Sequence, residues 1–117
     1  MGKLTTHVLD TAAGKPAAGV ALELYGMAVG ARLLLVRMTT NADGRCDTPL
    51  LADYKLQPGV YEIDFRIGDY FAAQGIALPQ PRFLDVVTVR VGIADASAHY
   101  HVPLLASPYS YSTYRGS

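Results

Sequence analysis

The stretch VYEIDFRI at residues 60–67 decides the fold class of this chain. Apolar side chains alternate with charged ones along it, at Tyr61, Ile63, Phe65 and Ile67. A period of two residues is typical of a β-strand that buries one face and leaves the other in water. We therefore predict a strand with these four side chains in a core and the charged side chains between them in solvent.

Short segments of β character recur on both sides of this strand, separated by clusters of Gly, Pro, Asn and Asp. These segments are residues 4–10, 20–25, 32–40, 86–91, 98–105 and 109–114. A single short helix is predicted at residues 69–74, with Asp69 as its N-cap and Gly75 after its end. The pattern predicts an all-β protein, an antiparallel β-sandwich of seven to eight strands, formed by one domain over residues 1–117.

The segment at residues 32–40 differs from the others because its apolar residues, from Leu33 to Val36, are continuous. Continuous apolar runs are typical of strands that are covered on both faces. We therefore expect this strand to be covered by a second sheet or by a partner chain.

Composition limits the classes of function. The formal net charge is zero, so no basic surface for nucleic acid is expected. The single Cys46 excludes an internal disulfide framework and fits a reducing compartment. No run approaches the roughly 20 apolar residues of a membrane span, and residues 1–6 do not resemble a secretion signal. We expect a cytoplasmic protein without membrane or nucleic-acid partners.

The residues capable of catalysis are few. The chain has no Gly-rich phosphate loop and no Gly-x-Ser-x-Gly motif. It has three histidines, His7, His99 and His101, all in predicted strands, and Arg45 directly after the turn sequence Asp-Gly. A single histidine in a strand is more often structural than catalytic. Because period two places His99 and His101 on one face, however, one site could gather two or three imidazoles.

Two kinds of site use such a set. His7, His99 and His101 could bind zinc, which would lower the pKa of a bound water to about 7. Alternatively, one histidine acts as a general base without metal, and Arg45 stabilises the negative charge that develops on a carbonyl oxygen. Both alternatives are open at this point.

Four motifs make the chain resemble the 5-hydroxyisourate hydrolases, the transthyretin-related enzymes of urate degradation. They are LTTHVLD at 4–10, DGR at 43–45, HYHVPLL at 99–105 and SPYSYSTYRGS at 107–117. The closing YRGS is the most specific, because the hormone-carrying transthyretins share the run before it but lack this ending and the histidines.

The resemblance implies a homotetramer of β-sandwiches around a central channel. It also implies a reaction without cofactor or metal, in which water opens a cyclic amide of 5-hydroxyisourate, the small-molecule substrate. The product would be 2-oxo-4-hydroxy-4-carboxy-5-ureidoimidazoline, on the route from urate to allantoin. A transthyretin-like carrier of small aromatic ligands is the non-enzymatic alternative.

The resemblance also implies a set of site residues. His7, Arg45 and His101 match the catalytic positions, and His7 and Arg45 are expected to bind substrate as well. The further substrate-binding residues would be Ser112, Tyr114, Arg115, Gly116 and Ser117. His99 is left outside this set, because the motif singles out the histidine directly before Val102 and Pro103.

Overall fold

The computed structural model describes residues 1–116, which form a sandwich of two β-sheets. The first sheet contains β1 (Lys3–Asp10), β2 (Lys15–Pro16), β5 (Leu51–Ala52), β8 (His99–Ala106) and β9 (Tyr111–Thr113). The second contains β3 (Ala21–Ala28), β4 (Ala31–Thr39), β6 (Gly59–Phe65) and β7 (Val87–Ile93). A 3-10 turn (Asp53–Lys55) follows β5, and the helix α1 (Ile67–Ala73) follows β6.

The predicted all-β sandwich with one short helix is confirmed, with one correction to the strand pairing. Of the nine strands, β2 and β5 have only two residues each, so seven strands carry the two sheets. All pairs are antiparallel except β1 with β8, which run parallel over their whole length. The rest of the sandwich connects these two strands, and parallel neighbours require such a long crossover instead of a hairpin.

The strand β6 confirms the period-two prediction. Tyr61, Ile63, Phe65 and Ile67 are all buried. Ile67, however, is the first residue of α1 and not the last of the strand. The predicted helix start at residue 69 was therefore two residues too late. No side chain caps the helix, and the N–H of Gly68 in its first turn donates to the carbonyl oxygen of Asp85.

The strand β4 differs from its prediction. It is an edge strand, and Leu33, Leu34 and Leu35 are 52%, 42% and 46% exposed. Cover by the second sheet was wrong, because an edge strand has a neighbour on one side only and these side chains lie outside the space between the sheets. Cover by a partner chain stays a prediction.

The core lies between the two sheets and determines which side chains remain outside. In β1 and β8 the residues Leu4, Val8, Val102 and Leu104 are buried in it. Alternation then turns the intervening side chains to the outer face of the first sheet. No helix within residues 1–116 is long and apolar enough to cross a membrane.

Candidate active site

The outer face of the first sheet carries the polar side chains of β1 and β8. The parallel register places Thr5 beside His101. His7 lies two residues later on β1, and His99 two residues earlier on β8, so alternation gives all four side chains the same face. Tyr100, between the two histidines of β8, is buried in the core. The predicted common face of His99 and His101 is therefore confirmed.

A tight turn brings Arg45 beside His7. Gly44, with φ of 73°, packs so closely on β1 that an added Cβ would collide with the carbonyl oxygen of Val8. The N–H of Val8 donates to the carbonyl oxygen of Gly44 at 2.7 Å. Arg45 then pairs with His7 as an isolated antiparallel bridge. A glycine is needed here because both the left-handed φ and the close approach exclude a side chain.

The same turn fixes the imidazole of His7. Its Nε2 lies 2.9 Å from the carbonyl oxygen of Asp43. A carbonyl oxygen can only accept, so Nε2 carries the proton and the free lone pair of the neutral ring is on Nδ1. Burial, followed by the nearby Arg45 guanidinium, lowers the pKa of His7, although the contact with Asp43 opposes them. His7 is therefore mainly neutral at pH 7.

His101 stands across from His7 on the neighbouring strand. The centroids of the two rings are 6.5 Å apart, with the planes tilted by 41°. Nδ1 of His101 lies 2.8 Å from the hydroxyl oxygen of Thr5. Burial lowers the pKa of His101, and Arg45, His7 and His99 lower it further. Both imidazoles are thus held in the form that can accept a proton.

A cavity of about 400 Å³ opens on this face, within the size range of small-molecule sites. Its walls include Lys3, Thr5, Arg45, Asp47, His99 and His101. His101 lines the cavity directly, whereas His7 does not. Within residues 1–116, no carboxylate lies within ion-pair distance of Arg45.

The C-terminal segment meets this face at Gly116. Its N–H donates to the carbonyl oxygen of His101 at 2.7 Å. Ser112 pairs with Leu105, two alternations beyond His101 on β8, so its hydroxyl is on the same face but further along the strand. Ser117 lies outside the described residues.

Tyr114 and Arg115 are not among the walls of this cavity. Both line a cleft of about 410 Å³ on the other side of β8, together with Tyr100. The Arg115 guanidinium carbon lies 4.1 Å from the centroid of the Tyr100 ring. A shallow depression, bounded by His99, Tyr114, Arg115 and Gly116, connects them to the cavity through His99. The single chain thus brings His7, Arg45, His101 and Gly116 together and leaves Tyr114 and Arg115 at the margin.

The three histidines are not arranged as a metal site. Residues 1–116 contain no group of three or more His, Cys, Asp or Glu side chains placed to hold one metal ion. The Thr5 hydroxyl contacts both His99 and His101, at 3.3 and 2.8 Å. These contacts involve Nε2 of His99 and Nδ1 of His101, and the other nitrogen of each ring is outside them.

The sequence analysis missed several residues of the cavity wall, among them Lys3 and Thr5. Period two along β1 places them on the same face as His7, so the signal for their orientation was present. Their proximity to His99 and His101 depends on the parallel register, which pairs Lys3 with His99 and Thr5 with His101. Nothing local in the sequence specifies that register.

Comparison with known proteins agrees with the fold. The model of the family described as "HIUase/Transthyretin family" matches residues 4–116. The chain belongs to this family. A family relative, the 5-hydroxyisourate hydrolase of Ralstonia nicotianae, is 60% identical over 117 residues, all of this chain and all of the relative.

Solved structures of the HIUase/Transthyretin family show the same sandwich. A crystal structure of (S)-allantoin synthase is 43% identical with a TM-score of 0.93; it covers 99% of this chain, which spans only 44% of that longer chain. Sea bream transthyretin in complex with thyroxine is 30% identical with a TM-score of 0.87, over 97% of this chain and 94% of the other. The family thus includes both enzymes and a hormone-binding protein on one fold, and the site must distinguish them.

Proposed function

We propose that the chain is a hydrolase that opens the six-membered ring of 5-hydroxyisourate in urate degradation. The observation that carries this proposal is a cavity lined by both His101 and Arg45, with the His7 ring 6.5 Å from that of His101. A neutral imidazole that can accept a proton and a guanidinium that can stabilise an oxyanion are sufficient to add water to a carbonyl group without a metal ion. The 60% identity to a 5-hydroxyisourate hydrolase over the full length supports the choice of substrate.

His101 and Arg45 carry the chemical steps of the proposed reaction. His101 takes a proton from water while the water oxygen attacks the carbonyl carbon of the cyclic amide. Arg45 stabilises the oxyanion that forms. The imidazolium then returns its proton to the amide nitrogen as the C–N bond breaks, which leaves a carboxylate on one side and a ureido group on the other.

His101 is preferred to His7 as the general base because of its position. It lines the cavity, and His7 does not. His7 also uses Nε2 to hold the carbonyl oxygen of Asp43. We assign to His7 the orientation of water or substrate beside Arg45, a role that needs its neutral ring and fixed plane.

The C-terminal residues are proposed to bind the remainder of the substrate. Gly116 contacts His101 directly, and Tyr114 and Arg115 border the depression that adjoins the cavity at His99. Ser112 offers a hydroxyl further along the same face. Ser117 completes the proposed set as the residue after Gly116.

We further propose that residues 1–117 form one domain and assemble as a homotetramer. The strands β7 and β9 end their sheets, so both offer unpaired backbone groups to another chain. Large apolar or aromatic side chains are exposed near them, including Phe83, Tyr109 and Tyr111. Light scattering coupled to size-exclusion chromatography measures the native mass, and a monomeric mass would contradict the assembly.

The function is tested by producing 5-hydroxyisourate from urate with urate oxidase and following its absorbance. The protein is expected to accelerate the decay strongly and to do so equally after dialysis against a chelator. Loss of activity on chelation would favour a zinc hydrolase. Thyroxine binding without any hydrolysis would favour a carrier, although the charged walls formed by Lys3, Arg45 and Asp47 suit a polar ligand better.

The activity is expected to depend on pH through the neutral imidazoles. Burial and the charge of Arg45 lower the pKa of both His7 and His101 below the ordinary value of about 6.5. A lowered pKa means that protonation requires a more acidic solution, so the basic form persists at pH 6.5. kcat/KM should stay level near pH 7 and fall with a midpoint below 6.5, after subtraction of the spontaneous decay. A midpoint above 6.5 would contradict a histidine base in this environment.

Gly116→Ala tests the contact between the C-terminal segment and His101. An added Cβ would lie 2.7 Å from Cδ2 of His101, so the ring or the chain end must move. Because small displacements of a catalytic group can cost about 10²-fold, we expect kcat/KM to fall by at least about 10-fold. The unfolding temperature should not change, since Gly116 is outside the core.

A further inference from the structure

One threonine hydroxyl lies between two imidazoles of the cavity wall. The oxygen of Thr5 is 2.8 Å from Nδ1 of His101 and 3.3 Å from Nε2 of His99. Parallel pairing of β1 with β8 produces this arrangement. Thr5 is directly opposite His101, and His99 lies two residues before His101 on the same face of β8. Neither Thr5 nor His99 belongs to the set of residues expected to contact substrate.

The hydroxyl group of Thr5 has a single proton and can donate only one hydrogen bond, so it can donate to only one of the two facing nitrogens. If Thr5 donates to His99 Nε2, then His101 Nδ1 must be the donor in the shorter contact. The lone pair of neutral His101 is then on Nε2, the nitrogen that points away from Thr5. If Thr5 instead donates to His101 Nδ1, the proton of His101 is on Nε2 and that nitrogen cannot accept another.

We propose that Thr5 and His99 are positioning residues that hold His101 in the tautomer with its proton on Nδ1. The proposal rests on the function proposed above, in which His101 accepts a proton from water. Thr5 acts as the direct partner of the ring. His99 acts one step further away, because as an acceptor it directs the hydroxyl proton away from His101.

The charged and titratable groups around His101 are consistent with a neutral ring. Lys3 and His7 belong to β1, Arg45 and Asp47 to the segment after the turn, and His99 to β8 itself. Among the described residues of the cavity wall, the cations Lys3 and Arg45 outnumber the carboxylate of Asp47, and these cations disfavour a positive charge on the ring. The nearby charges thus favour the neutral ring, and the hydrogen bond with Thr5 selects which of the two neutral tautomers it adopts.

The test compares Thr5→Val, which keeps the shape and loses the hydroxyl, with Thr5→Ser, which keeps the hydroxyl. Loss of such an orienting partner typically costs about 10- to 100-fold in activity. We expect this loss in kcat for Thr5→Val and recovery to within a few-fold of the parent for Thr5→Ser. Equal activity of Thr5→Val and the parent protein would overturn the proposal.

A double variant separates action through His101 from a direct or structural role. If Thr5 acts through His101, Thr5→Val adds no further loss of kcat to His101→Asn, because the variant has no imidazole whose tautomer Thr5 could select. Additive losses would contradict the proposal. His99→Phe, which removes the acceptor for the hydroxyl proton, should lower kcat by roughly 10-fold, a smaller version of the same effect. Full activity of His99→Phe would remove His99 from the proposal.

Nuclear magnetic resonance supplies a readout that does not depend on turnover. Long-range proton–nitrogen spectra of the parent protein should show the neutral His101 protonated at Nδ1, and Thr5→Val should lose this preference. A parent His101 protonated at Nε2 would overturn the inference even in an active enzyme. An Nδ1-protonated His101 in a protein without hydrolase activity would support the geometry while contradicting the proposed function, so the two failures are distinguishable.

Discussion

Replacing His101 by asparagine is expected to lower kcat for hydrolysis of 5-hydroxyisourate by about 10²–10⁴-fold, the usual contribution of a positioned general base. Asparagine is close to histidine in size and can still bond to Thr5, but it cannot take a proton from water. KM should change little, because the polar walls formed by Arg45 and Lys3 remain. The measurement is the decay of enzymatically generated substrate, followed by stopped-flow absorbance.

The variant is interpretable only if its fold is intact. His101 is half-buried on the outer face, and its neighbours in the strand, Tyr100 and Val102, carry the core contacts. Unfolding temperature and native mass should therefore match the parent protein. A folded variant with near-parental turnover would exclude His101 as the base and would transfer that role to His7.

The second large effect is expected at Arg45. Arg45→Gln removes the only cation in the proposed contact with the developing oxyanion, and loss of one such stabilising group typically costs about 10²–10³-fold in kcat. Arg45→Lys keeps the charge but loses the planar arrangement of donors, so it should recover only part of the loss. Steady-state kinetics of the two variants measure both effects.

Arg37→Gln is the matched control for Arg45→Gln. Arg37 lies on β4 in the other sheet, is mostly exposed, and reaches Glu23 only at 3.8 Å. Surface pairs of this kind contribute little, so parental activity is expected. If Arg45→Gln changed KM alone and left kcat unchanged, Arg45 would bind the ground state without stabilising the transition state.

The strands were predictable because their signal is local. The period of two in β6 placed Tyr61, Ile63 and Phe65 in the core, and the turn at Gly44 was evident from its residue types. The start of α1 was misplaced because the buried Ile67 determines it, and burial depends on the other sheet. Cover of Leu33 to Leu35 by the second sheet was wrongly expected, because a continuous apolar run does not specify where its strand lies relative to the other sheet.

The sequence by itself determined the β-sandwich, the family and the chemical groups available, because each periodic pattern and each motif lies within one short segment of the chain. Only the tertiary structure decided that β1 lies parallel to β8, which brings Thr5 and His7 to the histidines nearly a hundred residues away. It likewise decided that Tyr114 and Arg115 lie at the margin of the cavity within one chain. Contacts of this range follow from how two sheets pack around a common core, and no local pattern specifies them.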